Sequence, residues 1–139
     1  MIKRLFMNRV FAFGFGIIIL AAVILMTQWS TLSDPVAVHF GDGGEADAWA
    51  SKSVKSVFYF VFLAFVIWIV LYFISRMLII FTPSDFSDQK KAMILGASQG
   101  LSWVALFLVI PNVLLAFSAV FESWRGVAPI GPTGETVLS

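Results

Sequence analysis

Three long stretches of this chain carry no charge, and they constrain its fold more than any other feature. Residues 10–33 contain no Asp, Glu, Lys or Arg and include the run Ile17-Ile18-Ile19-Leu20-Ala21-Ala22-Val23-Ile24-Leu25-Met26. Residues 56–75 are again charge-free and dense in Phe, Val, Ile and Leu, with Trp68 and Tyr72 among them. Residues 92–121 form the third stretch. About 20 mostly apolar residues in a helix cross the roughly 30 Å of hydrocarbon in a bilayer. The expected architecture is therefore an all-α membrane protein with three transmembrane helices, over about residues 10–30, 54–76 and 90–121, forming a single domain within residues 1–125. Composition agrees. Of 139 residues, 60% are hydrophobic and only 12% charged, whereas soluble domains average about 25% charged. A small chain exposes much surface, and this one lacks the polar groups to cover it.

A cleaved signal peptide is the rival reading of the first stretch, since Lys3, Arg4 and Arg9 precede it. The stretch ends in Met26-Thr27-Gln28-Trp29 without a small-x-small cleavage site, which favours a retained span. Arg76 follows the second stretch, and Met77-Leu78-Ile79-Ile80-Phe81 after it reads either as a continuation of the helix with Arg76 snorkelling or as a short interfacial segment. Residues 77–89 form the expected connection. Thr82-Pro83-Ser84-Asp85 has the form of a helix start, with Thr82 as N-cap and Pro83 as the first helical residue. Pro111-Asn112 should kink the third helix, with Asn112 tying up backbone groups freed by the proline.

Lysine and arginine set the expected orientation. Lys3, Arg4, Arg9, Arg76, Lys90 and Lys91 share one side, and Lys52, Lys55 and Arg125 the other. The richer side is expected to be the cytoplasm, which places the N-terminus inside and the C-terminus outside a bacterial inner membrane. Trp29, Trp49 and Trp124 fall near the outer boundary, as an aromatic belt would. Residues 126–139 hold two prolines and three glycines and read as an irregular outward-facing tail.

The function classes narrow by elimination. A net charge of +1 suggests no nucleic-acid footprint. Without cysteine there is no disulfide, thiolate chemistry or cysteine-bound metal. No cofactor is expected. The spans lack the several ionisable groups that a transport path needs. Gly96 and Gly100, with Ala92 one turn earlier, form a small-residue face. It suits close helix approach, either within this chain or to a protein partner or second copy.

The polar information lies in residues 31–53, the outer loop. Val36, Val38 and Phe40 alternate with Ala37 and His39, a short extended signal. Gly41-Asp42-Gly43-Gly44 is a turn, and Ser51 or Ser53 caps the second helix. His39 with Asp34, Asp42, Glu45 and Asp47 offers carboxylates and an imidazole to a hard cation. The plainer reading is that the aspartates cap turns and His39 makes a structural hydrogen bond. A general acid–base role for His39 is chemically open, but no nucleophile is placed beside it.

The order and spacing of Asp34, Pro35, Val38, His39, Phe40, Gly44, Glu45, Asp47, Trp49, Ser51 and Lys52 resemble a bacterial membrane domain of unknown function. That domain occurs at the N-terminal end of SdpI-type immunity proteins, which protect a cell from its own secreted toxic peptide. The resemblance covers roughly residues 10–75. The family often has proline where Ala37 stands and asparagine near Asp42. The resemblance implies a membrane domain with an outward-facing loop. One functional expectation is a binding or immunity-type protein whose outer loop recognises a peptide, protein or lipid while the helices anchor it. The alternative is an accessory subunit of a larger membrane assembly, packing through its helices and tail; a non-enzymatic role is expected in either case.

Overall fold

A computed structural model describes residues 8–43 and 45–124, with side chains through residue 122. Helix α1 (Arg9–Thr27) is followed by a 3-10 turn (Trp29–Thr31), strands β1 (Val36–Phe40) and β2 (Ala46–Ala50), a short helix α2 (Val54–Val57), and the long helices α3 (Tyr59–Ile80) and α4 (Asp88–Trp124). Three of these, α1, α3 and α4, are long and apolar enough to cross a membrane. At 1.5 Å per residue, the 22 residues of α3 rise about 33 Å, close to the hydrocarbon thickness. The 37 residues of α4 rise about 55 Å, so α4 must protrude from the bilayer.

The bundle is held along narrow seams. The buried residues of α1 are Phe11, Gly14, Ile18, Ala21 and Leu25. Their alternating spacing of three and four keeps one line of an α-helix against its neighbours. Val61, Ala64, Trp68 and Ser75 do the same on α3, and Ser98, Ser102, Ala105, Val109, Val113 and Ala116 on α4. Most of these residues are small, so the backbones come close. Gly14 shows why: a Cβ there would stand 3.4 Å from Trp68 Cδ1. Trp68 donates its indole N–H to the Phe11 carbonyl at 2.9 Å and stacks on Tyr72, their centroids 5.3 Å apart. Toward the other end of α3, the buried Ser75 hydroxyl lies 3.1 Å from the Ser98 carbonyl, which it donates to, and 2.6 Å from the Ser98 hydroxyl. The opposite faces are bare: Phe13, Phe62 and Phe107 are 61%, 67% and 76% exposed. In water this would be untenable; in a bilayer, lipid covers them.

The helix boundaries differ from the sequence expectation in two places. Span two continues through Arg76 to Ile80, so the connection shrinks to residues 81–87, and at its start α2 is set off from α3 at Phe58. Thr82 is not the N-cap of span three. Its hydroxyl turns back to the Leu78 carbonyl at 2.6 Å and closes α3. Phe86 N then bonds the Pro83 carbonyl in a turn. Ser87 is the cap, its hydroxyl accepting from Lys90 N at 3.3 Å. The Thr-Pro signal fails because the threonine hydroxyl donates back to a carbonyl behind it instead of accepting from N–H groups ahead.

Pro111 sits inside α4, which runs on through it. Asn112 Nδ2 donates to the Leu108 carbonyl at 2.9 Å, reinforcing the turn where the proline removes a donor.

Candidate functional site

The loop between α1 and α2 folds as an antiparallel hairpin, β1 with β2. β1 follows from its β-branched and aromatic content. β2, Ala-Asp-Ala-Trp-Ala, has little strand propensity and is not apparent from sequence. It forms because the Gly41–Gly43 turn folds the chain back, with Gly41 N bonded to the Glu45 carbonyl at 2.8 Å. Val36 pairs with Ala50, and the register is irregular on both sides of His39. The irregularity breaks strict alternation: Val36 and Ala37 are both buried, while His39 points out.

The feet of the hairpin are clasped. Asp34 Oδ1 accepts from Lys52 N at 3.0 Å, across 18 residues of chain. Lys52 Nζ donates to the Leu32 carbonyl at 3.1 Å and stands 5.2 Å from the centre of the Trp29 ring. Trp29 in turn stacks on Phe58, with centroids 6.4 Å apart. The Asp34–Pro35 bond is cis, and Ser33 Oγ donates to the Pro35 carbonyl at 3.0 Å. Asp34, Pro35 and Lys52 thus have a structural explanation. They fix the hairpin upright on the bundle, with Leu32 and Val36 in the same apolar core as Leu25, Val57 and Val120.

The upper hairpin carries the exposed chemistry. His39 Nδ1 and Asp47 Oδ1 are 2.5 Å apart, with side chains 67% and 51% exposed. The contact fixes the imidazole and leaves Nε2 unused. Asp42 and Glu45 are exposed beside the turn, and Phe40 and Trp49 are half-buried along the strands. Gly44 lies outside the described residues, as do the tail and the Trp124 side chain of the expected aromatic belt. Among the described residues, no three of the His, Asp and Glu side chains converge as metal ligands. The five candidate cation ligands are spread over the hairpin, with Asp34 engaged at its foot and Asp47 paired to His39.

Between the hairpin and the start of span two lies an open groove of about 600 Å³ that the sequence did not suggest. Val38, Phe60 and Leu63 supply its apolar lining, and His39, Lys55 and Tyr59 its polar one. Ser53 and Ser56 also border it, but their polar atoms are engaged. Ser53 Oγ accepts from Ser56 N, and Ser56 Oγ accepts from Ser53 N and donates to the Ser51 carbonyl at 2.7 Å. They cap α2. The signal available in the sequence was Lys55 and Tyr59, four residues apart at the mouth of an apolar stretch.

The small-residue face is placed differently from internal packing. Ala92, Gly96 and Gly100 are exposed, and a Cβ at Gly96 or Gly100 would meet nothing within 4 Å. The serines and alanines of the Ser98–Ala116 seam hold α4 to its neighbours instead.

In comparison with known proteins, residues 16–65 match the family described as Domain of unknown function (DUF1648). The match runs from α1 through the hairpin into α3. No curated protein and no solved structure matches the chain.

Proposed function

We propose, for a multi-pass membrane protein whose residues 16–65 carry this domain, a non-enzymatic binding role exercised through the hairpin. The setting we infer is the bacterial inner membrane, with the N-terminus in the cytoplasm and the hairpin outside, as the lysine and arginine distribution favours. The ligand class is a peptide or protein, in keeping with the resemblance to immunity proteins. One observation carries the reading: the Asp34–Lys52–Leu32 clasp ties together the feet of a hairpin that is seated in the core through Val36, with His39, Asp42, Glu45 and Asp47 exposed. Preorganised display lowers the ordering cost of binding. Two of the groove's serine hydroxyls, Ser53 and Ser56, are spent on the helix cap, which speaks against a nucleophilic role for them. The test is growth under toxic-peptide stress with His39→Ala and Glu45→Ala, together with photo-crosslinking from position 42. Loss of protection and of a discrete crosslinked partner is the result this reading expects. Unchanged growth and no crosslink from the parent protein would remove it.

A second reading, an accessory subunit or homo-oligomer, is favoured by the open Ala92–Gly96–Gly100 face, whose small residues internal packing does not explain. Gentle extraction and sizing separates the two. A stoichiometric complex dispersed by Gly96→Leu supports the subunit role, and a monomer indifferent to that change sinks it.

A further inference from the structure

We propose that the groove between β1 and the start of α3 is a binding site for the phosphate of an anionic phospholipid, independent of whatever the hairpin tip binds. The first argument is depth. Tyr59 begins α3, whose length matches the hydrocarbon layer, so the groove lies where that layer meets the headgroups. Lys55, four residues earlier, stands in the headgroup region, while Phe60 and Leu63 face acyl chains.

The second argument is the supply of donors. No hydrogen bond or ion pair joins the Lys55 ammonium or the Tyr59 hydroxyl to another described residue. His39 is held through Nδ1, which leaves Nε2 free for a ligand. Of the groove's serines, Ser53 and Ser56 are engaged with one another and with the Ser51 carbonyl, while the exposed Ser51 hydroxyl, also in the lining, adds a further donor. The Lys55 ammonium, the Tyr59 and Ser51 hydroxyls and His39 Nε2 therefore border an apolar floor, and they suit the phosphate oxygens of an amphiphile.

The third argument is charge. Among the described residues, no aspartate or glutamate lines the groove, and Lys55 is the one lysine or arginine that does. Asp47 lies outside the lining and is bound to His39 Nδ1. A phosphate at Lys55 meets attraction without an opposing carboxylate in the wall. A volume of about 600 Å³ falls among ordinary ligand sites and accommodates a headgroup with the top of one chain.

The experiment reconstitutes the full chain in nanodiscs of mixed phosphatidylcholine and phosphatidylglycerol and counts retained lipids by native mass spectrometry. The parent protein is expected to retain phosphatidylglycerol in preference. Lys55→Gln combined with Tyr59→Phe should lower that preference several-fold, since Lys55 supplies the charge that tells a net-anionic headgroup from a zwitterionic one. Lys90→Gln, on the far side of the bundle, should leave it unchanged. Both substitutions are at exposed positions, and unaltered helicity and elution volume would confirm that the fold is kept. No preference in the parent, a preference that survives the double change, or an equal loss with Lys90→Gln would each overturn the site. So would a peptide occupying the groove in place of lipid.

Discussion

Lys52 shows how much one side chain decides here. Its backbone N–H engages Asp34, and its ammonium engages both the Leu32 carbonyl and the Trp29 ring. Lys52→Met should keep the stem and the Asp34 contact while losing the other two, at a cost of about 1–2 kcal/mol. The expected readout is roughly tenfold faster hydrogen exchange in the hairpin amides, with the helices unchanged; equal exchange would mean that the clasp is not what holds the hairpin. Asp34→Asn preserves an acceptor for Lys52 N and should be much milder than Asp34→Ala. The motif from Asp34 to Lys52 was legible in the sequence, but its division of labour was not. Lys52 and Asp34 meet only because β2 brings the chain back, and an alanine-rich strand gives no periodic signal.

At the level of elements, glycines of identical appearance in the sequence behave in opposite ways. Gly14→Leu should weaken the bundle severely, because even a Cβ there stands 3.4 Å from Trp68. Gly96→Ala meets open space and should be neutral or slightly stabilising in a helix interior, by up to about 1 kcal/mol. Thermal unfolding in detergent ranks the two, and equal loss would contradict the seams described. Between α3 and α4, a Ser75→Ala, Ser98→Ala double-mutant cycle should return a coupling of about 0.6 kcal/mol, the average for such bonds between membrane helices. Zero coupling would make the contact incidental. The spans themselves were readable because length and lack of charge are local properties. The seam on α4 was not, since a helix surrounded by lipid on one side is apolar on both. The helix start at Ser87 was also hidden, because Thr82 and Ser87 both carry capping chemistry and only the fold back to Leu78 tells them apart.

The whole molecule is an up–down–up bundle with a hairpin on one end and the residue 81–87 connection on the other. α4, at 37 residues, exceeds the bilayer and carries Asp88, Lys90 and Lys91 at one projecting end. Its other end packs with the hairpin foot, through Val120 in the core cluster that also holds Val36. That arrangement makes sidedness the central claim: the hairpin and the connection lie at opposite ends of the bundle, and the proposed orientation puts the hairpin outside. The chain contains no cysteine, so single substitutions report without background. Asp42→Cys at the hairpin turn and Asp85→Cys in the connection, each exposed, can be probed in intact cells with a membrane-impermeant maleimide. The account predicts that position 42 is labelled at once and position 85 only after the membrane is permeabilised. Labelling of both positions in intact cells, or of position 85 alone, would contradict it.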